Sequence, residues 1–208
     1  MAYFDNAATT YPKPEVVYAS MDQFYRLNGA NAGRGRYNLA QSANALIGET
    51  RALVQELLHC PAKQVVFTPT ATIALNIIIQ GLICKDAKTI YISPFEHNAV
   101  TRTLHHFEEA GTISVHQLIV SRDMKYDLDR IRYQFESERP DLVIVSHASN
   151  VFGLIAPVTE ICSLAKKFGA TTVIDMAQTA GLVDCNLGLN VFDLSLIHIS
   201  EPTRLGMI

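Results

Sequence analysis

The 208-residue sequence predicts an α/β fold: a mostly parallel sheet with helices on both faces. Three observations predict it. Short β-branched runs recur from Val65 onward, each is followed by a longer stretch with apolar residues at helical spacing, and the helix starts carry capping residues. Strands and helices that alternate in this way pack as a parallel sheet joined by right-handed crossovers.

After an N-terminal segment ending in Pro12 and Pro14, Val16–Leu27 and Leu39–His59 both read as helices, the second closing at Pro61. The strand runs are Val65–Phe67, Thr89–Ile92, Thr112–Leu118, Leu142–Val145 and Thr171–Ile174. Thr70 precedes a helix over Ala71–Ile83 and Asp127 precedes one over Leu128–Phe135. Pro157 opens Val158–Phe168, which Gly169 closes. The reading divides the chain into an N-terminal segment (1–30), a large domain (31–193) and a tail (194–208), with no internal repeat, linker or low-complexity segment.

With 49% hydrophobic and 18% charged residues the chain can bury a substantial core. A net charge of -3 and a pI near 6.1 give no basic field to attract nucleic acid or an anionic membrane. The most apolar stretch, Ile73–Cys84, is interrupted by Asn76, Gln80 and Gly81, short of the ~20 apolar residues of a spanning helix. Asp5 and Asn6 fall where the apolar region of a secretory leader would begin, so a cytoplasmic location is expected. Cys60, Cys84, Cys162 and Cys185 are far apart and form no Cys-x-x-Cys pair, which indicates reduced thiols and no metal site. Gly29–Gly35 is glycine-rich but follows no strand and lacks Gly-x-Gly-x-x-Gly spacing, so it reads as a flexible loop.

Ligands of open parallel sheets bind beyond the carboxyl ends of the strands, so the residues following each run carry the functional reading. Phe67–Thr72 brings hydroxyls and free N–H groups to a helix N-terminus, where a phosphate fits and where a simple N-cap also explains Thr70. Glu96-His97-Asn98 places an imidazole that can lie on a flat aromatic ligand, move protons or merely cap a helix. Ser146–Asn150 gathers polar side chains after an apolar run, with a turn-forming Asn150 as the bland alternative. Asp175, at the tip of Val173-Ile174-Asp175, puts a carboxylate at the end of a buried strand, where it either opens a turn or pairs with a cation such as a protonated pyridine nitrogen. Gln178 lies within reach of the same ring if Asp175 opens that turn.

Taken together the segments Tyr3–Thr9, Phe67–Thr72 with Ala74-Leu75-Asn76, Glu96–Ala99, His147–Gly153 and Asp175–Gln178 resemble the class V aminotransferase family of fold-type I pyridoxal-phosphate enzymes. Within it the resemblance is to the cysteine desulfurase and selenocysteine lyase group, over about Tyr3 to Asp193. The resemblance implies pyridoxal 5'-phosphate as cofactor. Ala71 and Thr72 would hold its phosphate, His97 would stack on its ring, Asp175 would pair with the ring nitrogen and Gln178 would bond the ring hydroxyl. Asn150 would lie near the cofactor and the substrate carboxylate, and Asp5–Thr9 would form an active-site wall. A homodimer and a sulfur-acceptor protein are also implied.

In that family the stretch after Phe192-Asp193 runs into a turn carrying the lysine that anchors the cofactor. Here the chain reads Leu194-Ser195-Leu196-Ile197-His198-Ile199-Ser200-Glu201-Pro202-Thr203-Arg204, which resembles the translation of a library-preparation adapter. Leu194–Ile208 is therefore read as a non-native tail, although Leu194–Ile199 also alternates as a strand does. The large domain is expected to be incomplete and the chain by itself inactive. The complete enzyme would take sulfur from L-cysteine, with that lysine and His97 moving protons and a loop cysteine beyond Asp193 accepting the sulfur as a persulfide while alanine leaves. None of the four cysteines present is nominated for that role, and Lys166 and Lys167 read as a solvated helix face. The alternatives are another class V aminotransferase or lyase, or a lysine-less binding protein.

Overall fold

The computed structural model describes residues 2–4, 9–33 and 35–198. Among these the chain forms two compact units that divide between Phe67 and Thr68. The first contains α1 (Glu15–Asn28) and α2 (Asn38–Leu57). α1 follows Pro14, buries none of its residues and carries an exposed Asp22–Arg26 ion pair, whereas α2 buries Ala40, Ala43 and Val54. Val65–Phe67, expected to be a strand, forms none. Its β-branched residues find no neighbouring strand, and Val66 and Phe67 stay exposed while Arg51 donates to the Val65 carbonyl (3.0 Å) and lies over the Phe67 ring. Strand propensity expresses a fit to a partner surface rather than a backbone preference, and among the described residues no partner strand lies beside this segment.

The second unit is the α/β body. In chain order it holds α3 (Ala71–Ile83), β1 (Thr89–Ile92), α4 (Asn98–Glu109), β2 (Ser114–Gln117), α5 (Leu128–Ser137), β3 (Leu142–Ser146), α6 (Val158–Lys167), β4 (Thr171–Asp175) and β5 (Leu194–Leu196). The strands form one sheet in the order β2-β1-β3-β4-β5, and every pairing is parallel. Local chemistry sets the helix ends. Thr70 accepts a hydrogen bond from Ile73 N–H and Asp127 one from Arg130 N–H, both at 3.1 Å. Gly169 ends α6 with φ +82°, a conformation that costs glycine nothing.

Side chains alternate across the strands. Ile90 and Ile92 of β1, Leu142 and Ile144 of β3 and Val173 of β4 pack with Leu75, Ile79, Val100 and Leu104 of α3 and α4. The opposite face turns Tyr91 towards Phe135 of α5 (ring centroids 4.9 Å apart) and meets α6 along β3 and β4. β3 is buried at all five positions, as a parallel strand covered on both faces must be. The alternation of Leu194–Ile199 is realised as β5 over Leu194–Leu196, with Leu196 in the core; the remainder of the adapter-like tail, Ile199–Ile208, lies outside the described residues.

Lys166 is not simply solvated. Its ammonium binds the Asp193 carboxylate and donates to the Ala170 carbonyl. Asp193 also accepts from Thr172 N–H at 2.8 Å, and the fully buried Thr172 hydroxyl donates to the Val191 carbonyl at 2.7 Å. Burial alone would raise the Asp193 carboxyl, but the bonds from Lys166 and Thr172 outweigh it and hold the acid below its ordinary value. This knot fixes the approach to β5 against β4.

Candidate active site

The sheet order determines where a site can form. The chain leaves β1 for β2 on one side and reaches β3 on the other, so the connections part between the carboxyl ends of β1 and β3, where open parallel sheets bind ligands. Ladder bonds continue past the strand ends and set the positions of the residues beyond them. Ser93 N–H donates to Ile144 O (3.1 Å), His147 N–H to Asp175 O (2.8 Å) and Met176 N–H to Leu196 O (2.7 Å).

Beside this point α3 begins. Thr70 satisfies Ile73 N–H with its hydroxyl and Ala74 N–H with its carbonyl, and the backbone N–H groups of Ala71 and Thr72 have no acceptor among the described residues. They form the positive end of a 13-residue helix, suited to an anion. Thr72 and His97 also line a cavity of about 410 Å³ that runs between α3 and α4 past Asn76 and Arg102.

His97 caps α4. Its Nδ1 accepts from Ala99 N–H at 3.1 Å, so the neutral ring carries its proton on Nε2, and the residue is exposed. One face of an aromatic ligand could therefore meet the imidazole while Nε2 exchanges a proton. Both the capping role and an open ring coexist here.

Asp175 ends β4 and is 7% exposed. Its Oδ1 accepts from Ala177 N–H at 2.9 Å, opening the turn that holds Gln178, and among the described residues Oδ2 accepts no hydrogen bond. Burial pushes this carboxyl above its usual value; the Ala177 bond and the nearby His97 and His198 pull in the other direction. The turn posed for Asp175 by the sequence is made through Oδ1.

At the end of β3, His147 points inward. It is 4% exposed, pairs with the buried Thr179 hydroxyl at 2.9 Å and is kept neutral by burial, which lowers its pKa. The next turn is closed by Ser149, whose hydroxyl accepts from Val151 and Phe152 N–H at 3.3 and 3.2 Å, and by Gly153 at φ +67°. Asn150 stands exposed at its tip. Ala71, Thr72, His97, Asn150, Asp175 and Gln178 thus all fall at the carboxyl end of one sheet. Asp5–Ala8 of the expected active-site wall lie outside the described residues.

One functional group was not anticipated from its own position. The Glu96 carboxyl accepts from Ser146 N–H at 2.6 Å through Oε1 and from the Ser146 hydroxyl at 2.8 Å through Oε2. The residue keeps some surface, but its acid group is enclosed. Burial pushes it up to about 8, Ser146 draws it partly back, and Asp175 adds to the rise. Beside it Ser93 meets the Tyr126 hydroxyl at 2.8 Å, a phenol that burial raises to about 12. The available signal was a carboxylate immediately before His97 at a strand end.

The four cysteines are free thiols: Cys60 and Cys162 are buried, Cys185 is half-buried, and Cys84 is exposed at the end of α3 opposite Ala71. Among the described residues no helix is long and apolar enough to cross a membrane.

Comparison with known proteins gives this arrangement a context. The chain is 31% identical over 214 residues to a probable cysteine desulfurase of Xylella fastidiosa, a match that spans 100% of this chain and 51% of that protein. It superposes on the apo structure of a cysteine desulfurase from Thermococcus onnurineus with a TM-score of 0.84 and 29% identity, over 92% of this chain and 48% of that one. SspA, solved in complex with cysteine, is similar at TM-score 0.79 and 26% identity, over 90% of this chain and 54% of its own. The chain thus spans about half the length of the curated relatives it matches. The family model described as Aminotransferase class-V matches residues 2–193, nearly everything described above, and the chain belongs to that family.

Proposed function

We propose that the protein carrying this chain is a pyridoxal 5'-phosphate-dependent cysteine desulfurase of the cytoplasm, acting on L-cysteine. The observation that carries the reading is Asp175: a buried acid with one oxygen committed to a turn and the other, among the described residues, lacking a hydrogen-bond donor, at the carboxyl end of the sheet. Burying a carboxylate without a cation is costly, so the site calls for a positively charged ligand atom.

The residues present fit the cofactor. The N–H groups of Ala71 and Thr72 suit its phosphate, Asp175 suits a protonated ring nitrogen, Gln178 stands in the following turn to meet the ring hydroxyl, and His97 offers an open ring face. Bound there, the cofactor supplies an electron sink for the bonds broken at the substrate amino carbon. The chain's own groups then bind, orient and move protons. Asp175 keeps the sink strong by holding charge against the ring nitrogen. His97 holds a proton at Nε2 because Ala99 N–H occupies Nδ1. Asn150, exposed at its turn, is suited to meet the substrate carboxylate.

The choice of L-cysteine is supported by the relatives named cysteine desulfurase and by the neighbour solved with cysteine. The lysine that anchors the cofactor and the cysteine that takes the sulfur are expected beyond Asp193, and a homodimer and a sulfur-acceptor protein complete the reading. The test is product formation by the full-length protein loaded with pyridoxal 5'-phosphate. Alanine and sulfide should appear together from L-cysteine under a thiol reductant, and the formation of neither would overturn the assignment.

A further inference from the structure

Between the ends of β1 and β3 stands an acid to which the desulfurase reading gives no task. Glu96 uses both oxygens on one partner, the backbone N–H and hydroxyl of Ser146, and so joins the turn after β1 to the last residue of β3. We propose that Glu96 is a positioning residue for the cofactor cradle: it fixes the turn that presents His97, and as a second acid beside Asp175 it governs how much negative charge the cleft holds.

The geometry supports both halves. His97 follows Glu96 directly and caps α4, so a clamp on Glu96 restrains the entry of that helix. The charged and titratable groups around the clamp come from several elements. Asp175 of β4 acts on Glu96 directly, Tyr126 reaches it beside Ser93, and His97 and His198 act on the Asp175 side. Among the described residues no lysine or arginine acts on Glu96. Two enclosed acids with no strong cation between them do not both ionise readily, and their surroundings separate them. Asp175 has the Ala177 N–H bond in its favour, whereas the enclosed Glu96 acid group holds its proton to about 8. The cleft therefore gains negative charge as Glu96 ionises.

The functional meaning rests on the cofactor reading, but the acid pair does not, and the experiment separates them. Glu96→Gln, Glu96→Ala and Ser146→Ala are made in the full chain and followed by thermal melts without cofactor and by equilibrium dialysis of pyridoxal 5'-phosphate, from about pH 5 to pH 9.5. Wild type should lose stability relative to Glu96→Gln as pH climbs from the ordinary glutamate value to about 8, because the unfolded chain gives up this proton first; the gap should level off above that. Ser146→Ala removes a bond that favours the ionised acid and should move the upper end of the window to higher pH. In dialysis, Glu96→Ala should bind the cofactor about tenfold more weakly at pH 7, Glu96→Gln should restore binding, and wild type and Glu96→Gln should part by a similar factor only above about pH 8. A gap between wild type and Glu96→Gln that is constant with pH overturns the proposal, as does a folded Glu96→Gln that fails to restore binding. If the wild type retains no cofactor while the melt difference still tracks pH, the acid pair stands and the cofactor reading falls.

Discussion

Replacing Asp175 by asparagine separates charge from shape at the carboxyl end of β4. The amide keeps an oxygen for Ala177 N–H, bonded at 2.9 Å in the wild type, so the turn that presents Gln178 should survive. What disappears is the negative charge, and its loss should act with opposite sign on two measurements. Without cofactor the buried acid is a burden: burial raises its pKa, which means the folded chain disfavours the ionised form at every pH above the ordinary aspartate value. Asp175→Asn should therefore melt at the same temperature as wild type or higher at pH 7, the difference closing as the pH falls and wild-type Asp175 takes up its proton. With cofactor the charge is an asset, and losing one partner of a buried charged pair costs about 2–5 kcal/mol. Asp175 keeps 7% of its surface exposed and the Ala177 N–H bond on Oδ1, which places the expected loss at the lower end, about 2–3 kcal/mol. That corresponds to a roughly 30- to 150-fold weaker affinity for pyridoxal 5'-phosphate by equilibrium dialysis. A variant that melts lower without cofactor yet binds it within about threefold of wild type would show that Asp175 is a structural turn residue, and the assignment of the cleft would fail with it.

Three further outcomes follow from the fold. Thr172→Val keeps the shape of a fully buried residue but strips the hydroxyl that bonds Val191 O (2.7 Å) and Asp193 N–H (3.1 Å); urea unfolding should show a loss of about 2–3 kcal/mol, and an unchanged midpoint would mean that the knot beneath β5 contributes nothing. Lys166→Met should destabilise near neutral pH, and because Asp193 is held below its ordinary value that difference should shrink as acid protonates it; a difference that persists undiminished at about pH 2 would assign it to packing instead. Under native conditions a thiol reagent should label exposed Cys84 first and spare Cys162, whose thiol burial raises to about 12, until the chain unfolds; early labelling of Cys162 would contradict its enclosure on the buried face of α6.

The features legible in the sequence are those whose causes are local. Thr70, Asp127 and Gly169 bound their helices through bonds or dihedrals spanning a few residues, and those boundaries match the structure closely. Val65–Phe67 failed because a strand needs a neighbour, and composition does not reveal one. Lys166 read as a solvated face because its partner, Asp193, is 27 residues away, and Glu96 read as part of a motif because Ser146 lies 50 residues on. Long-range pairs of this kind leave no trace in spacing.

Strand-end position gathers the candidate residues on one side for a reason the topology supplies. Each crossover returns the chain to the same edge, so the residue after every parallel strand reaches the same side of the sheet whatever its sequence neighbours are. His97, Asn150 and Asp175 share that side because β1, β3 and β4 are parallel, and a single antiparallel strand would have sent its end residues to the other. The alternation of strand and helix thus determines which residues can meet, while burial decides what they do on meeting. Asp175 and His147 sit at the ends of adjacent strands, yet His147 is sealed against Thr179 and left neutral, whereas Asp175 has, among the described residues, one oxygen without a hydrogen-bond donor. Periodicity can supply the first of these facts but not the second, which depends on how closely side chains from four different strands and their loops fill the space between them.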